Sequence, residues 1–122
     1  MSSLNLIQEP VYLETELDEM EIRRLIINNK QQLGLIDLEE YRTPLSRVIV
    51  MDGVDNNELF RVSVVTRDKS IYTEVDITAC GSGAMDIIKS RIFSGSIPVY
   101  SMESSRYVRN LLFALIRRAE EK

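Results

Sequence analysis

Residues 71–84 read IYTEVDITACGSGA, and the periodicity of the apolar residues changes within them. From Ile71 to Cys80 apolar and polar residues alternate, and a period of two predicts a half-buried strand. Gly81-Ser82-Gly83 ends the alternation. From Ala84 the apolar residues recur at helical spacing instead. A strand that passes directly into a helix indicates a chain of mixed α and β structure.

The residues before this stretch predict three more strands and a helix. Alternation from Val11 predicts a strand, and the helix after it begins at Asp18, which has Glu21 at capping-box spacing, and ends at Gly34. Residues 37–42 favour a short helical turn before a proline. Residues 47–51 and 60–64 predict two further strands, and the short turns between neighbouring strands indicate antiparallel pairing.

The residues after it predict a helix, a short strand and a last helix. Residues 84–93 predict a helix with Ala84, Ile87, Ile88 and Ile92 facing inward. Residues 97–100 predict a short edge strand, because Pro98 cannot donate to a sheet ladder. Ser101 or Ser104 is suited to cap the last helix. Its apolar stripe follows the i, i+3, i+4, i+7, i+8 pattern and comprises Val108, Leu111, Leu112, Leu115 and Ile116.

Together these elements predict an α+β fold of two layers. We expect a largely antiparallel sheet of about five strands with three helices, in the order β-α-β-β-β-α-β-α. The length of 122 residues fits one domain. We expect a loose N-terminal lead-in over residues 1–9 and a single domain over residues 10–122.

The composition excludes several classes of site. The chain has no histidine and a single cysteine, Cys80, which excludes Ser-His-Asp catalysis, His-ligated metals and four-cysteine zinc sites. We therefore expect no cofactor and no metal. Asp52, Asp55 and Glu58 have oxygen ligands for a hard cation, but an Asp/Asn-rich turn is usually only a turn. Without a signal peptide, a disulfide pair or a long apolar run, the chain is expected in the cytoplasm and away from membranes.

Charge is distributed unevenly along the chain. The formal net charge is −4, yet residues 81–122 carry seven basic and four acidic side chains, a balance of +3. Nucleic-acid binding is not expected, because the overall basic footprint is missing. The apolar arc of the last helix is widened by Tyr107, Phe113 and Ala114, which are candidates for a homodimer interface. The alternative is that this arc packs wholly within the monomer.

The junction between residues 80 and 84 is the candidate for chemistry. The first amides of a helix are unpaired and carry partial positive charge, so Gly81, Ser82, Gly83 and Ala84 predict an anion- or ligand-binding turn. The same field would lower the pKa of Cys80, the candidate catalytic residue, whose parity places it on the polar face of its strand. The alternative is a tight strand–helix turn in which Ser82 caps the helix and Cys80 is a small buried filler.

Ala79-Cys80-Gly81-Ser82-Gly83-Ala84 resembles the second-cysteine motif of the diaminopimelate epimerase family, in which a cysteine works at a helix N-terminus. The resemblance covers six residues of 122. Those epimerases are longer, two-lobed enzymes that use two cysteines. Because two-base racemisation requires a second thiol, the resemblance does not extend to the activity.

We therefore expect a small interaction or regulatory protein, adaptor- or chaperone-like, that acts by surface contacts as a homodimer or with another protein. We expect it not to be an enzyme. The alternative is a small ligand-binding protein or enzyme that takes an anionic ligand at the turn after Cys80.

Overall fold

A computed structural model describes residues 6–95 and 97–122 of the chain. The described residues form five strands: β1 (Leu6–Thr15), β2 (Leu35–Arg42), β3 (Arg47–Asp55), β4 (Glu58–Asp68) and β5 (Thr73–Ser82). Their helices are α1 (Glu19–Asn28), α2 (Lys30–Leu33), α3 (Ala84–Ile92) and α4 (Met102–Glu120). This confirms the α+β class with a sheet of five strands. The described residues hold four helices where three were expected, because Asn29 separates α2 from α1.

The five strands form one antiparallel sheet in the order β1-β5-β4-β3-β2. Strands β2 to β5 follow one another as a meander, which confirms the antiparallel pairing. Strand β1 lies beside β5 at the opposite edge from β2, so α1 and α2 must cross the sheet to connect them. The crossing begins at Asp18, which forms the capping box expected with Glu21.

The hydrophobic core lies between the sheet and one layer of helices. Alternate residues of the three central strands are fully buried, among them Val62 and Val64 of β4 and Val75 of β5. They pack against the expected apolar stripe of α4, in which Val108, Leu112, Leu115 and Ile116 are buried and Leu111 is half-buried. Helix α1 adds Ile22 and Ile26 to the same core. Helices α1, α2 and α4 therefore occupy one face of the sheet.

The start of β1 and the type of two other segments differ from what the sequence predicts. Strand β1 begins at Leu6, so residues 6–9 of the expected lead-in are strand, while residues 1–5 lie outside the described residues. The expected helical turn at residues 37–42 is wrong, because this segment pairs with β3 as strand β2. The expected strand at residues 97–100 is also wrong, because this segment has no strand pairing and is joined to Ser82 by two hydrogen bonds of Tyr100.

Candidate functional site

The junction between Cys80 and Ala84 is closed by the segment that precedes α4. The Ser82 amide donates to the Tyr100 carbonyl over 3.0 Å, and the Tyr100 amide donates to the Ser82 hydroxyl over 2.9 Å. Gly83, not Ser82, is the N-cap of α3, and no side chain in the described part of the chain caps that helix. The expectation that Ser82 caps the helix is therefore wrong, since its hydroxyl is used to fix Tyr100.

Gly81 packs against the start of α4. A Cβ atom placed on Gly81 would lie 2.7 Å from the Cβ of Met102 and 3.1 Å from its Cα. Real side-chain contacts are much longer than this, so any residue larger than glycine would push α4 away from the sheet. The space left by the missing side chain of Gly81 is therefore filled by Met102, a residue of the same chain, and not by a ligand.

Cys80 is buried, with 2% of its surface exposed. Its thiol faces the carbonyl of Thr78 at 3.9 Å. Burial raises the pKa of this thiol, and the nearby Arg61 guanidinium offsets only part of the rise. The expected accessible thiol with a lowered pKa is therefore wrong. The geometry agrees with the alternative in which Cys80 fills space, although the register places it on the expected face beside Arg61.

A polar cluster that the sequence did not reveal covers Cys80. Arg61 forms a two-pronged ion pair with Asp52, at 2.7 and 2.8 Å, and its guanidinium lies 4.7 Å from the ring centroid of Tyr100. The Tyr100 hydroxyl donates to Asp52 over 3.3 Å. Residues 52 and 61 are cross-strand partners, and Tyr100 lies 39 positions after Arg61 in sequence. This cluster fastens the segment before α4 onto the sheet.

The other acidic candidates form ion pairs. Asp52 is held by Arg61, so it is not available with Asp55 and Glu58 as a ligand set, and the part of the chain that is described contains no group of three potential metal ligands. Glu74 and Asp76, two residues apart in β5, lie on one face of the strand, and Arg67 donates hydrogen bonds to both. The hydrogen bond from Arg67 to Glu74, with a smaller contribution from that of Tyr12, lowers the pKa of Glu74.

No helix layer of the described residues packs on the second face of the sheet, and we call part of this face the open face. The strand registers align its side chains in three rows across the sheet. They are Pro10, Thr78, Ser63, Val50 and Glu39 in the first, Tyr12, Asp76, Val65, Val48 and Tyr41 in the second, and Glu14, Glu74 and Arg67 in the third. Valines therefore lie at its centre and carboxylates around them.

Helix α3 has its apolar side turned outward. Met85, Ile88, Ile92 and Phe93 are 59%, 48%, 68% and 58% exposed, while Asp86 and Ser90 are buried. The Ser90 hydroxyl donates to the Ile97 carbonyl over 2.9 Å. The expected inward orientation of Ala84, Ile88 and Ile92 is therefore wrong, and only Ile87 is half-buried. We call Met85, Ile88, Ile92 and Phe93, with the exposed Lys89 and Arg91 beside them, the outer surface of α3.

The expected interface residues of α4 do not share one environment. Tyr107 is 58% exposed and Ala114 is exposed. Phe113 is half-buried against the core, and the Arg117 guanidinium lies 5.4 Å from its ring centroid. The apolar arc of α4 is therefore mostly used within the domain, and Tyr107 with Ala114 is the part that faces solvent.

Comparison with known proteins gives no family for this chain: no protein-family model matches it, and a search of curated proteins finds no significant match. Within the described residues, none of the helices combines the length and apolar character needed to cross a membrane.

Proposed function

We propose that this protein is a small interaction protein that acts by surface contacts and associates with a second copy of itself through the outer surface of α3. The observation that carries the proposal is the reversed polarity of this helix. Its buried side is formed by Asp86 and Ser90, whereas Ile88 and Ile92, one turn apart, lie in solvent. A helix that packs only within its own domain turns its apolar side to the core.

The free energy that burial of these exposed side chains would release favours contact with a partner. Burying a large apolar side chain contributes about 1.5–3 kcal/mol, so each of the four half-exposed side chains retains roughly 1 kcal/mol that contact with another surface would release. A groove of about 580 Å³ runs beside the helix and is bordered by Ile87, Val99 and Met102, among others. It lies on the side of α3 that carries Ile87 and Ser90, away from the four exposed apolar side chains. Clusters of exposed apolar side chains such as those four are characteristic of interaction sites.

The charges of the chain favour a second copy as the partner. The outer surface of α3 carries Lys89 and Arg91, whereas the open face carries an excess of carboxylates. The two surfaces of one chain are therefore complementary to each other. Oppositely charged surfaces speed association and disfavour wrong partners.

Sedimentation velocity over a wide range of concentration tests the proposal. We expect the wild-type protein to be a reversible dimer and the variant with Ile88→Asp and Ile92→Asp to sediment as a monomer. Tyr107→Asp with Ala114→Asp is the matched control, since it places the same charges on the exposed side of α4. The proposal fails if the wild type is a strict monomer. If only the α4 variant dissociates, the interface lies on α4 and the assignment to α3 is wrong.

A further inference from the structure

We propose that the open face of the sheet is the surface that receives α3, and that the exchange is reciprocal, so that α3 of each copy lies on the sheet of the other. This inference rests on the proposed function, because it names the surface that α3 contacts. The charge, the apolar content and the dimensions of the two surfaces support this contact.

The two surfaces have opposite charge. The open face holds four carboxylates, on Glu14, Glu39, Glu74 and Asp76, against the Arg67 guanidinium and the Lys69 ammonium, which lies 3.9 Å from Glu74 at its edge; the balance is −2. Arg67 is already bonded to Glu74 and Asp76. Glu14 and Glu39 are exposed on the two edge strands. The outer surface of α3 holds two cations, and its only carboxylate, on Asp86, is buried on the other side.

The centres of the two surfaces are both apolar. The middle row of the open face places Val48 and Val65 side by side, with Tyr41 and Tyr12 at its ends, 54% and 49% exposed. Ile88 and Ile92 are one helical turn apart on α3. Contact between these side chains would place apolar groups together and leave Lys89 and Arg91 near the carboxylates at the rim. A desolvated apolar centre within a polar rim is the usual anatomy of a protein interface.

The dimensions of the two surfaces also agree. A nine-residue helix is about 14 Å long at ~1.5 Å per residue. Four spacings of ~4.8 Å between five strands, and two intervals of ~6.8 Å between three rows, give the open face about 19 Å by 14 Å. Helix α3 therefore fits on the open face when it lies across the strands, and the reciprocal contact would occur twice in a dimer.

The two simpler symmetric contacts are disfavoured by charge. Packing α3 against its own copy would bring Lys89 and Arg91 close to their equivalents, and packing the open faces together would oppose two sets of carboxylates. Like charges across an interface cost affinity. In the reciprocal exchange both contacts join opposite charges, and two-fold symmetry closes the assembly at a dimer.

A charge exchange between two variants tests the inference directly. Variant A carries Lys89→Glu and Arg91→Glu, so its α3 is acidic. Variant B carries Glu14→Lys and Glu39→Lys, so its open face loses two carboxylates and gains two cations. In a homodimer of either variant, α3 and the open face carry charges of the same sign. We therefore expect the dissociation constant of that homodimer to rise roughly tenfold or more. In an equimolar mixture both contacts regain opposite charges, and we expect a heterodimer that is at least as tight as the wild-type dimer.

The control variant carries Arg24→Glu and Arg118→Glu, which makes the same change in net charge on exposed positions of α1 and α4. It should dimerise like the wild type and should not pair with variant B more tightly than the wild type does. Far-UV circular dichroism and thermal unfolding check that each variant is folded. A heterodimer between variants A and B supports the exchange. A second outcome is that variant B dimerises like the wild type while the variant with Ile88→Asp and Ile92→Asp dissociates. In that case α3 binds another surface, so the inference is wrong although the proposed function stands. If the wild-type protein is a monomer, both the inference and the proposed function are wrong.

Discussion

Replacing Gly81 by alanine tests the packing that closes the junction after Cys80. The added Cβ would lie 2.7 Å from the Cβ of Met102, 3.1 Å from its Cα and 3.2 Å from its Cε. Carbon atoms in protein interiors make optimal contact at about 3.5–4.0 Å. The start of α4 must therefore move by roughly 1 Å, and this movement would strain the hydrogen bonds between Ser82 and Tyr100.

The cost of this displacement sets the expected magnitude. Overpacking a well-filled site destabilises a protein by about 1–3 kcal/mol, which is a large part of the 5–15 kcal/mol typical of domain stability. For a chain of 122 residues, 2 kcal/mol corresponds to a fall in Tm of about 8 °C. We expect Gly81→Ala to show this loss in urea unfolding followed by circular dichroism, with an unchanged dependence on urea concentration.

A double-mutant cycle distinguishes this clash from any general effect of alanine in the strand. Met102→Gly removes the Cβ that the new methyl group would meet, so the double variant should regain at least 1 kcal/mol relative to the sum of the single effects. If Gly81→Ala is as stable as the wild type, or if the two substitutions are simply additive, Met102 does not pack on Gly81. The glycine would then be open to a ligand, as in the alternative reading of the sequence.

Two further predictions concern titratable groups. Cys80 is buried and its pKa is raised, so we expect iodoacetamide to label the native protein much more slowly than the urea-unfolded protein at neutral pH; equal rates would show an accessible thiol. Hydrogen bonds from Arg106 and Arg67 lower the pKa of Glu9 and Glu74, so the folded state binds fewer protons there than the unfolded chain. Stability from these groups is present above their unfolded pKa of about 4.5 and is lost as the pH falls through the lowered folded value. Urea unfolding at neutral and acid pH should show a smaller loss for Glu9→Gln, and an unchanged loss would contradict the assignment.

The sequence predicts best those elements in which the periodicity of apolar residues matches the positions that are buried in the fold. In β5 every second residue from Thr73 to Ala79 is buried, so the period of two predicts both the strand and its buried face. Helix α4 buries the stripe that its spacing indicates, and α1 begins at the capping box of Asp18. Local pattern and tertiary packing agree in these elements, and such agreement is what makes an element predictable.

Strand β2 shows where local pattern fails. Its sequence, LIDLEEYR, is rich in Leu and Glu, which favour helices, and has only one β-branched residue, Ile36. Pairing with β3 overrides this preference and places Glu40 where Arg23 of α1 binds it at 2.6 and 2.9 Å. The Asp52–Arg61–Tyr100 cluster was missed for a related reason, since no spacing along the chain indicates that Tyr100 returns to the sheet.

Helix α3 shows that spacing defines a face but not the direction in which the face points. The polar side of α3 is anchored by the hydrogen bond from Ser90 to Ile97, which contributes about 1 kcal/mol. Turning the helix to bury Met85, Ile88, Ile92 and Phe93 would gain several times as much if an apolar surface of the same domain lay within reach. The core is formed by the sheet with α1, α2 and α4, and none of its residues comes from α3. In the proposed dimer the valine-centred sheet of a second copy would give α3 both an apolar contact and carboxylates opposite Lys89 and Arg91.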